Sequence, residues 1–483
     1  MNKRPLSRIS LTFLAVCVVP IVSVLAVTEA TQRAAPVPFI NQPLVPSSIS
    51  PGSGDFTLTV NGTGFARRSI VQWNGHNRPT TFVSTQRLTA IIIASDIATA
   101  KTASITVATC APGGGTSNVV YFPVTNATAS ISFSDTRIAT GTEPTGCTSG
   151  DFNKDGKIDF ACCDLVTYTV NVSLGNGDGT FQPYVTYPTG VRPFIIGTAD
   201  FNEDGHIDLV TNGRGVVSIL PGNGDGTFGP HRDFGAIPVE AGGLSTADFN
   251  GDGHVDVVIA NYIDPSVSVF LGNGDGTLQP AVAYRAPHYA RGIVVGDYDR
   301  DGNLDLAVMG QKGFYAPGGV VVILRGQGDG SFQFIGGYEL GYITGIATAD
   351  FNGDGILDLA CALWRRNRIA ILIGNGDSTF QSAVYYRTER EPEGLLVGDL
   401  NGDGYLDLAT RSYDTGALLT LLGDGDGSFQ PYTIHQVNSS LGWFLADLNQ
   451  DGRLDIATGY NILLQNATGN SLRAINTDNW RTQ

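Results

Sequence analysis

One nine-residue pattern, D-x-[ND]-x-D-G-x-x-D, recurs seven times in the chain at intervals of 48 to 53 residues. A second pattern, for example LGNGDGTFQP, follows each of the first six copies, and LLQNATGNS stands in its place after the seventh. A repeat of this length is one supersecondary unit, which buries its apolar residues only by packing against its neighbours. The copies, here numbered repeats 1 to 7, begin at Asp151, Asp200, Asp248, Asp297, Asp350, Asp399 and Asp447.

Short apolar segments between the two patterns predict β-strands. Residues 216–220, 267–271 and 320–324 are rich in β-branched and aliphatic side chains, and the Gly-Asp-Gly of the second pattern predicts a hairpin turn. Glycine accounts for 62 of 483 residues and charged side chains for only 15%, which excludes a coiled coil and favours β-structure with tight turns. About four short strands per repeat and no helical periodicity predict an all-β fold, a seven-bladed β-propeller.

The segment that precedes repeat 1 predicts how such a ring closes. Residues 131–140, ISFSDTRIAT, resemble the end of a repeat more than its beginning. We therefore expect this segment to pair with the last blade and to join the two ends of the array.

The seven acidic loops predict calcium sites, about one per blade. Calcium prefers about six to eight oxygen ligands, and each loop offers carboxylate or amide oxygens at positions 1, 3, 5 and 9, with the position-7 carbonyl turned inward. Glycine at position 6 permits the sharp turn that brings these oxygens together. The predicted ligands are Asp151, Asn153, Asp155, Lys157, Asp159, Asp200, Asn202, Asp204, His206, Asp208, Asp248, Asn250, Asp252, His254, Asp256, Asp297, Asp299, Asp301, Asn303, Asp305, Asp350, Asn352, Asp354, Ile356, Asp358, Asp399, Asn401, Asp403, Tyr405, Asp407, Asp447, Asn449, Asp451, Arg453 and Asp455.

The repetition of the loops decides between a metal site and a simple turn. One copy could be an ordinary turn, but seven copies that all add an aspartate at position 9 favour metal binding. An EF-hand would need Glu at position 12 and flanking helices, whereas these loops lead into strand-like segments. Neighbouring carboxylates without a cation repel by about 1 to 4 kcal/mol per pair. We expect calcium binding to be coupled to folding, with dissociation constants of about 10⁻⁴ to 10⁻³ M.

The first 30 residues predict a signal peptide. Three basic residues precede an apolar run at residues 11–27, and Ala30 offers a small residue at the cleavage point. An uncleaved anchor is the alternative, because the run approaches the length of a spanning helix, although Pro20 interrupts it. After cleavage no integral membrane domain is expected. The formal charge of -16 argues against nucleic acid and anionic membranes as partners.

Residues 38–125 predict a small β-sandwich. Their strand-like runs are separated by turn signals, among them Asn61-Gly62. The runs are residues 56–60, 70–73, 88–93, 105–107 and 119–123. The segments FTLTVNGTGF, SIVQWNG, LTAIIIASDI and APGGGTSNVVYFPV resemble the IPT/TIG family of immunoglobulin-like domains. That resemblance implies a structural stalk or a second interaction module.

Five cysteines remain after signal cleavage, so at least one thiol is free or forms an intermolecular bridge. Cys147 and the adjacent pair Cys162-Cys163 flank the first acidic loop. The sequence is equally consistent with a local disulfide across two neighbouring strands and with buried free thiols.

The array at residues 131–483 resembles the FG-GAP/VCBS repeat family, which includes the propeller of integrin α chains, related fungal lectins and bacterial surface proteins. The resemblance implies that each calcium loop joins the first two strands of a blade, and that loops on the opposite face or between blades bind ligands. Aromatic and arginine side chains in those loops suit stacking on sugar rings or a protein hot spot. The candidate ligand-binding residues are Arg192, Tyr262, Tyr289, Arg291, Tyr315, Trp364, Arg365, Tyr413 and Trp443.

Together these features predict a secreted or cell-surface, calcium-binding adhesion module whose partner is an extracellular glycan or protein. A lectin of this kind would carry repeated pockets between blades. Catalysis has little support, since H-E-x-x-H, G-x-S-x-G, P-loop and C-x-x-C motifs are absent and the calcium loops hold nearly half of the 45 acidic residues. The alternative is a carbohydrate-active enzyme of lyase or dehydratase type, with one unique cluster of His, Tyr or Lys at a blade interface.

Overall fold

Small antiparallel sheets make up nearly all of the regular structure in this computed structural model. The strands are numbered β1 to β37, and the described part of the chain adds only two short 3-10 helices, Ala94–Ile97 and Trp364–Arg366. No helix among these residues is long and apolar enough to cross a membrane. The predicted signal peptide and Tyr315 lie outside the described residues, which are 34–110, 113–190, 192–235, 241–311, 318–437 and 442–466.

The N-terminal strands form two sheets packed face to face. They are β1 Phe39–Ile40, β2 Phe56–Thr63, β3 Ser69–Trp73, β4 His76–Asn77, β5 Thr80–Ser84, β6 Arg87–Ile92, β7 Lys101–Thr109, β8 Gly115–Thr116 and β9 Val120–Val124. One sheet has the order β1-β2-β6-β5, and the other has the order β4-β3-β7-β8, with β9 also paired to β7. Phe56, Trp73 and Phe122 lie between them, with ring centroids 5.3 to 6.5 Å apart. This pair of sheets is called the N-terminal sandwich below.

The predicted turn at Asn61-Gly62 is wrong, because both residues lie inside β2. Gly62 pairs with Ile40 of β1, and a Cβ atom at Gly62 would lie 2.0 Å from the carbonyl oxygen of Phe39. Glycine is therefore needed here for the close approach of a neighbouring strand rather than for a turn.

The remaining strands form seven four-stranded sheets, one for each repeat. Their bounds are β10 Phe133–Arg137, β11 Pro144–Gly150, β12 Asp159–Asp164, β13 Thr169–Ser173, β14 Val185–Pro188, β15 Ile195–Ala199, β16 Asp208–Gly213, β17 Val216–Leu220, β18 Arg232–Gly235, β19 Ala241–Ala247, β20 Asp256–Asn261, β21 Ser266–Phe270, β22 Val282–Arg285, β23 Gly292–Gly296, β24 Asp305–Gln311, β25 Gly319–Gly326, β26 Phe332–Glu339, β27 Ile343–Ala349, β28 Asp358–Leu363, β29 Arg368–Leu372, β30 Val384–Arg387, β31 Pro392–Gly398, β32 Asp407–Ser412, β33 Leu418–Leu421, β34 Thr433–His435, β35 Phe444–Ala446, β36 Asp455–Ala457 and β37 Asn461–Gln465. Six sheets contain four consecutive strands, beginning with β11-β12-β13-β14.

The seventh sheet has the order β10-β37-β36-β35, so its outer strand comes from the segment before repeat 1. Phe133 pairs with Gln465, and Arg137 pairs with Asn461. The predicted pairing of residues 131–140 with the last repeat is thereby confirmed.

Successive sheets contact each other through both repeated patterns. The first strands of neighbouring sheets lie side by side, and β11 also lies beside β35. In repeat 1, the carbonyl of Phe152 accepts a hydrogen bond from Gly226 N in the turn of repeat 2, at 3.0 Å. The equivalent bond from Gly179 N to Leu448 O, also 3.0 Å, joins repeat 1 to repeat 7. The arrangement is that of a repeat β-propeller.

A disulfide joins the first two strands of repeat 1. It links Cys147 in β11 to Cys162 in β12, which are directly paired across the sheet. Cys163 and Cys361 are buried thiols, and Cys110 is exposed. Of the two predicted alternatives, the local disulfide is the one present.

The N-terminal sandwich packs against the acidic-loop edge of the sheets, and the described residues belong to one compact unit. Phe39 packs on the apolar core of repeats 3 and 4, and Tyr121 packs on the cores of repeats 6, 7 and 1. The sandwich therefore lies against the sheets in this structure.

Candidate functional site

The seven acidic loops share one conformation, held by hydrogen bonds from backbone amides to the side chains of positions 1, 3 and 5. In repeat 1, Asp155 N donates to Asp151 Oδ1 and Asn153 Oδ1, both at 3.0 Å. Gly156 N donates to Asp151 Oδ2, and Lys157 N donates to Asp155 Oδ1, both at 2.9 Å. The same four bonds, 2.7 to 3.2 Å long, occur in every other repeat. The side-chain oxygens of positions 1, 3 and 5 thus accept hydrogen bonds from three consecutive amides, those of positions 5, 6 and 7.

Position 9 has a structural role that the sequence analysis did not anticipate. In repeat 1, Asp159 is fully buried, its Oδ2 accepts from Phe152 N at 2.9 Å and its Oδ1 accepts from Gly175 N at 2.8 Å. The carboxylate therefore ties the acidic loop to the following Gly-Asp-Gly turn. In repeat 7, where that turn is missing, Gln465 N donates to Asp455 in the same way, at 2.7 Å.

Burial raises the pKa of every position-9 carboxyl, and nearby loop aspartates add to the effect. The pKa is raised to about 6 at Asp159 and Asp208 and to about 8 at Asp256 and Asp455. Backbone hydrogen bonds act in the opposite direction in each case. The cost of holding several negative carboxylates together is what a bound cation would offset.

Repeat 4 has the densest set of carboxylates. Oxygens of Asp297, Asp299 and Asp305 all lie within 4.8 Å of one another, the one such group of three among the described residues. Asp299 stands where the other repeats have Asn, and Arg325 Nε lies 2.7 Å from its Oδ2. Hard carboxylate oxygens at this density fit a divalent cation such as calcium.

Aromatic and arginine side chains gather at the opposite edge of the sheets. In each sheet, the first strand ends and the second strand begins at an acidic loop. Residues just before the first strand and just after the second strand therefore lie at the opposite edge of the sheet. Tyr262 follows β20, and Tyr289 and Arg291 precede β23. The two tyrosine rings meet edge to face at 5.3 Å, and Arg291 Nη2 donates to Tyr262 Oη at 2.8 Å.

A second group continues this cluster across repeats 4 to 6. The rings of Trp364 and Tyr413 lie 4.7 Å apart, and Tyr342 lies 6.3 Å from Trp364. The guanidinium of Arg365 is 5.8 Å from the ring centre of Tyr342. Tyr413 keeps 53% of its surface exposed, so an aromatic face is open to solvent.

A partly buried ion pair lies beside the second group. Arg411 Nε lies 3.2 Å from Glu393 Oε2, and the Arg411 guanidinium lies 5.5 Å from the ring centre of Tyr413. Burial raises the pKa of the Glu393 carboxyl, although the positive charges of Arg411 and Arg291 act against this. The complete set, called the rim patch below, is Tyr262, Tyr289, Arg291, Tyr342, Trp364, Arg365, Glu393, Arg411 and Tyr413.

Two predicted ligand residues stand apart from the rim patch. Arg192 lies on the same edge at repeat 2, where its carbonyl packs against Gly213, and the described contacts of the patch do not include it. Trp443 is half-buried, and its indole covers Gly394 of repeat 6, so close that a Cβ there would lie 2.6 Å from Nε1. It packs with the apolar core of repeats 6 and 7.

Sequence reasoning missed Tyr342, Glu393 and Arg411. Tyr342 lies eight residues before Asp350, in the loop that precedes β27, and this position before a first strand is the signal that could have found it. Glu393 and Arg411 lie inside β31 and β32, and only the pairing of these strands brings them together.

The fold and the two edges define a repeat β-propeller-like protein with acidic loops on one side. The chain belongs to the FG-GAP-like repeat family, which matches it over more than half of its length. The matched residues are 151–211, 200–259, 248–308, 314–361, 350–410 and 399–458. No curated protein sequence matches the chain.

Several solved structures resemble this chain in fold. An Agrocybe aegerita lectin that recognises non-reducing terminal N-acetylglucosamine is 21% identical, with 76% of this chain and 95% of that chain covered and a TM-score of 0.46. A protein from Lactobacillus plantarum is 13% identical, with 78% and 97% covered and a TM-score of 0.47. An auxiliary nutrient binding protein from Bacteroides ovatus is 8% identical, with 89% and 98% covered and a TM-score of 0.37.

Proposed function

We propose that the chain is a secreted or cell-surface, calcium-binding adhesion module that binds an extracellular glycan or protein through the rim patch. In this proposal the seven sheets are the blades of a closed propeller, the first 30 residues are a signal peptide, and residues 38–125 are an immunoglobulin-like domain. The observation that carries the proposal is the rim patch itself.

The chemistry of the patch supports ligand binding. Its tyrosine and tryptophan rings offer apolar faces for stacking, and its arginines offer fixed donors for hydroxyl or carboxylate oxygens. Tyr289 has a φ of 51°, in the left-handed region that costs a non-glycine residue about 1 to 2 kcal/mol. Because the described residues contain this cluster once, we expect one ligand site rather than a ring of equivalent sites.

Calcium has a scaffolding role in the proposal. The carboxylates that would hold it lie at the edge opposite the patch, and we expect one ion per acidic loop to fix the ends of the first two strands. Isothermal calorimetry on the purified protein, after chelation and dialysis, measures how many ions bind. A melting temperature that is the same in calcium and in EDTA would exclude this role.

The ligand is sought with a broad panel of glycans, probed in calcium and again in EDTA. Tyr289→Asn removes the ring but keeps a residue that tolerates left-handed backbone, so we expect at least tenfold weaker binding without loss of stability. Tyr168→Asn is the matched control, because Tyr168 has a φ of 59° and lies on the same edge at repeat 1.

The two variants separate the outcomes. Loss of binding in Tyr289→Asn alone supports the patch, whereas equal loss in Tyr168→Asn would place the ligand elsewhere. If no glycan binds while calcium-dependent folding is intact, the protein-ligand form of the proposal is tested next by capture of extracellular proteins with the same pair of variants.

Glu393 supports a second candidate, a carbohydrate-active enzyme of lyase or dehydratase type. A carboxyl with a raised pKa, paired with Arg411, suits proton transfer beside an anionic group. The test incubates any bound polysaccharide with the protein and with Glu393→Gln, and follows chain length and new unsaturation. Unchanged polysaccharide with the unmodified protein excludes the enzyme.

A further inference from the structure

The N-terminal sandwich covers part of the acidic-loop face, and its coverage is unequal. The position-1 aspartates of repeats 3 to 7 are 4 to 9% exposed, whereas those of repeats 1 and 2 are only half-buried. The sandwich therefore divides seven similar loops into a covered group and an open group. The covered position-1 residues are Asp248, Asp297, Asp350, Asp399 and Asp447.

Backbone amides of the sandwich donate directly to loop carboxylates at repeats 3 and 7. Val37 N donates to Asp248 Oδ2, and Thr102 N donates to Asp447 Oδ2, both at 2.8 Å. The same Oδ2 atoms accept the position-6 amides, Gly253 N and Gly452 N, at 2.9 Å. The sandwich thus binds oxygens whose position is set by the loop conformation.

Side chains of the sandwich bind the loops of repeats 4 and 6. Gln86 Nε2 donates to Asp297 Oδ2 at 2.9 Å. Ser47 Oγ donates to Gly404 O at 2.5 Å, and Ser48 Oγ donates to Gly402 O at 3.3 Å. The Ser48 hydroxyl also lowers the pKa of Asp399 by hydrogen bonding, against a larger rise from burial. Together with repeats 3 and 7, these contacts place sandwich donors on four loops.

The apolar part of the interface leaves a cavity. Tyr121 and Phe39 are its aromatic contacts, and a cavity lined by Leu44, Tyr121 and Leu454, among others, remains between the sandwich and repeats 6 and 7. An interface with many polar contacts and a cavity gains less from burial than a domain core does.

We infer that the N-terminal sandwich is a cation-dependent cap, which docks on the acidic-loop face when the loops are ordered by bound cation and dissociates from it when the cation is removed. This rests on the proposed calcium binding. A cation that fixes the aspartates of repeats 3, 6 and 7 presents their oxygens, and the adjoining carbonyls, to the sandwich donors. By linkage, docking strengthens cation binding at these loops by the same factor.

Hydrogen exchange of the full chain tests the cap, with cation binding measured in parallel by calorimetry. Amides of Val37 and Thr102 report docking, and the amide of Leu88 in β6 reports folding of the sandwich itself. In EDTA we expect protection at the two docking amides to fall at least about tenfold while protection at Leu88 persists.

A calcium titration keeps the test decisive if EDTA unfolds the whole chain. Ser47→Ala combined with Ser48→Ala removes donors to repeat 6 without changing a proposed cation ligand. We expect this variant to raise the calcium concentration for half-protection of Val37 and Thr102 about three- to tenfold. Ser53→Ala is the control, because the Ser53 hydroxyl bonds only within its own turn, to Ser50 O at 2.7 Å.

The outcomes separate the cap from the calcium proposal. If calorimetry shows calcium binding but the docking amides keep their protection in EDTA, the cap is wrong and the calcium sites stand. The same holds if the double variant and Ser53→Ala titrate alike. If calorimetry detects no cation binding, the calcium proposal itself fails and the cap fails with it.

Discussion

Position 4 of every acidic loop adopts left-handed backbone, and the seven repeats fill it differently. Glycine occupies it in repeats 3, 5 and 6, with φ of 67° to 74°, whereas Lys154, Glu203, Arg300 and Gln450 occupy it with φ of 58° to 61°. A side chain in this region costs about 1 to 2 kcal/mol relative to glycine. The loop conformation is therefore held by contacts outside position 4, among them the hydrogen bonds of positions 1, 3 and 5, even where the residue at position 4 opposes it.

Reciprocal substitutions at position 4 measure this strain. Lys154→Gly should raise the free energy of unfolding by up to about 1 kcal/mol, because relief of the backbone exceeds the entropy that glycine adds to the unfolded chain. Gly353→Ala should lower it by about 1 kcal/mol, since no atom lies within 4 Å of the new Cβ and only φ is at issue. Denaturant unfolding in calcium provides both values. If both variants lower the free energy of unfolding equally, left-handed backbone at position 4 is not strained for a side chain.

The position-9 aspartates should be more sensitive to substitution than the exposed turn aspartates. Asp358→Asn places an amide NH₂ opposite Phe351 N or Gly374 N, both of which now donate to the carboxylate. An unsatisfied buried donor costs about 1 to 3 kcal/mol. Asp377→Asn, in the exposed turn of the same repeat, should cost less than about 1 kcal/mol. Denaturant midpoints in calcium distinguish the two variants. Equal shifts of the midpoint would show that the position-9 aspartate contributes no more to stability than the exposed turn aspartate.

At the scale of the element, the first pattern of one repeat contacts the second pattern of the next repeat. Phe152 of the first pattern meets Phe228 of the next repeat at 5.5 Å, and Phe351 meets Phe429 at the same distance. Edge-to-face pairs of this kind add about 0.5 to 1.5 kcal/mol beyond burial. The periodicity of the sequence therefore specifies how sheets pack as well as how each sheet forms.

The closing strand β10 offers a test with a built-in control. Ile138 N donates to Tyr460 O and Asn466 N donates to Ser132 O, and the antiparallel alternation then directs Thr136 N toward β37 and Arg137 N away from it. Thr136→Pro should cost about 3 kcal/mol, through a lost bond and disrupted pairing. Arg137→Pro should cost clearly less. If thermal unfolding shows equal losses, β10 does not contribute to closure as a paired strand.

At the scale of the whole molecule, stability should depend on pH in opposite ways with and without calcium. The carboxyls of Asp159, Asp256 and Asp455 have folded pKa values of about 6 to 8, above the value of about 3.9 for the unfolded chain. A raised folded pKa gives stability that is present at low pH and is lost as pH rises through the folded pKa. The chelated protein should therefore melt at a higher temperature at pH 5.5 than at pH 8.5.

Calcium should reverse that trend, because a bound cation replaces the protons and its affinity falls as the ligands are protonated. Melting curves at pH 5.5 and 8.5, in EDTA and in excess calcium, give the four values needed. A chelated protein that becomes more stable as the pH rises would show that the buried carboxyls are not the dominant titrating groups.

The sequence by itself determined the local structure and much of the array. Period, turn residues and β-branched runs predicted the repeated sheets, the acidic loops and the closing strand, because each of these depends on contacts within a repeat or on one repeated contact between neighbours. The same pattern reading failed at Asn61-Gly62, where the pairing of β1 overrides the usual preference of that dipeptide for a turn.

Only the tertiary structure decided which residues of different repeats meet. Tyr289 and Trp364 were found from their loops, but Glu393 and Arg411 became part of the rim patch only through the pairing of β31 with β32. Trp443, which was also predicted to bind ligand, packs over Gly394 instead. The position of the N-terminal sandwich was equally invisible in the sequence, because its contacts join residues more than 200 positions apart. Periodicity determines the contacts between residues that are close in the sequence. Contacts between distant residues depend on surfaces that form only when the chain folds.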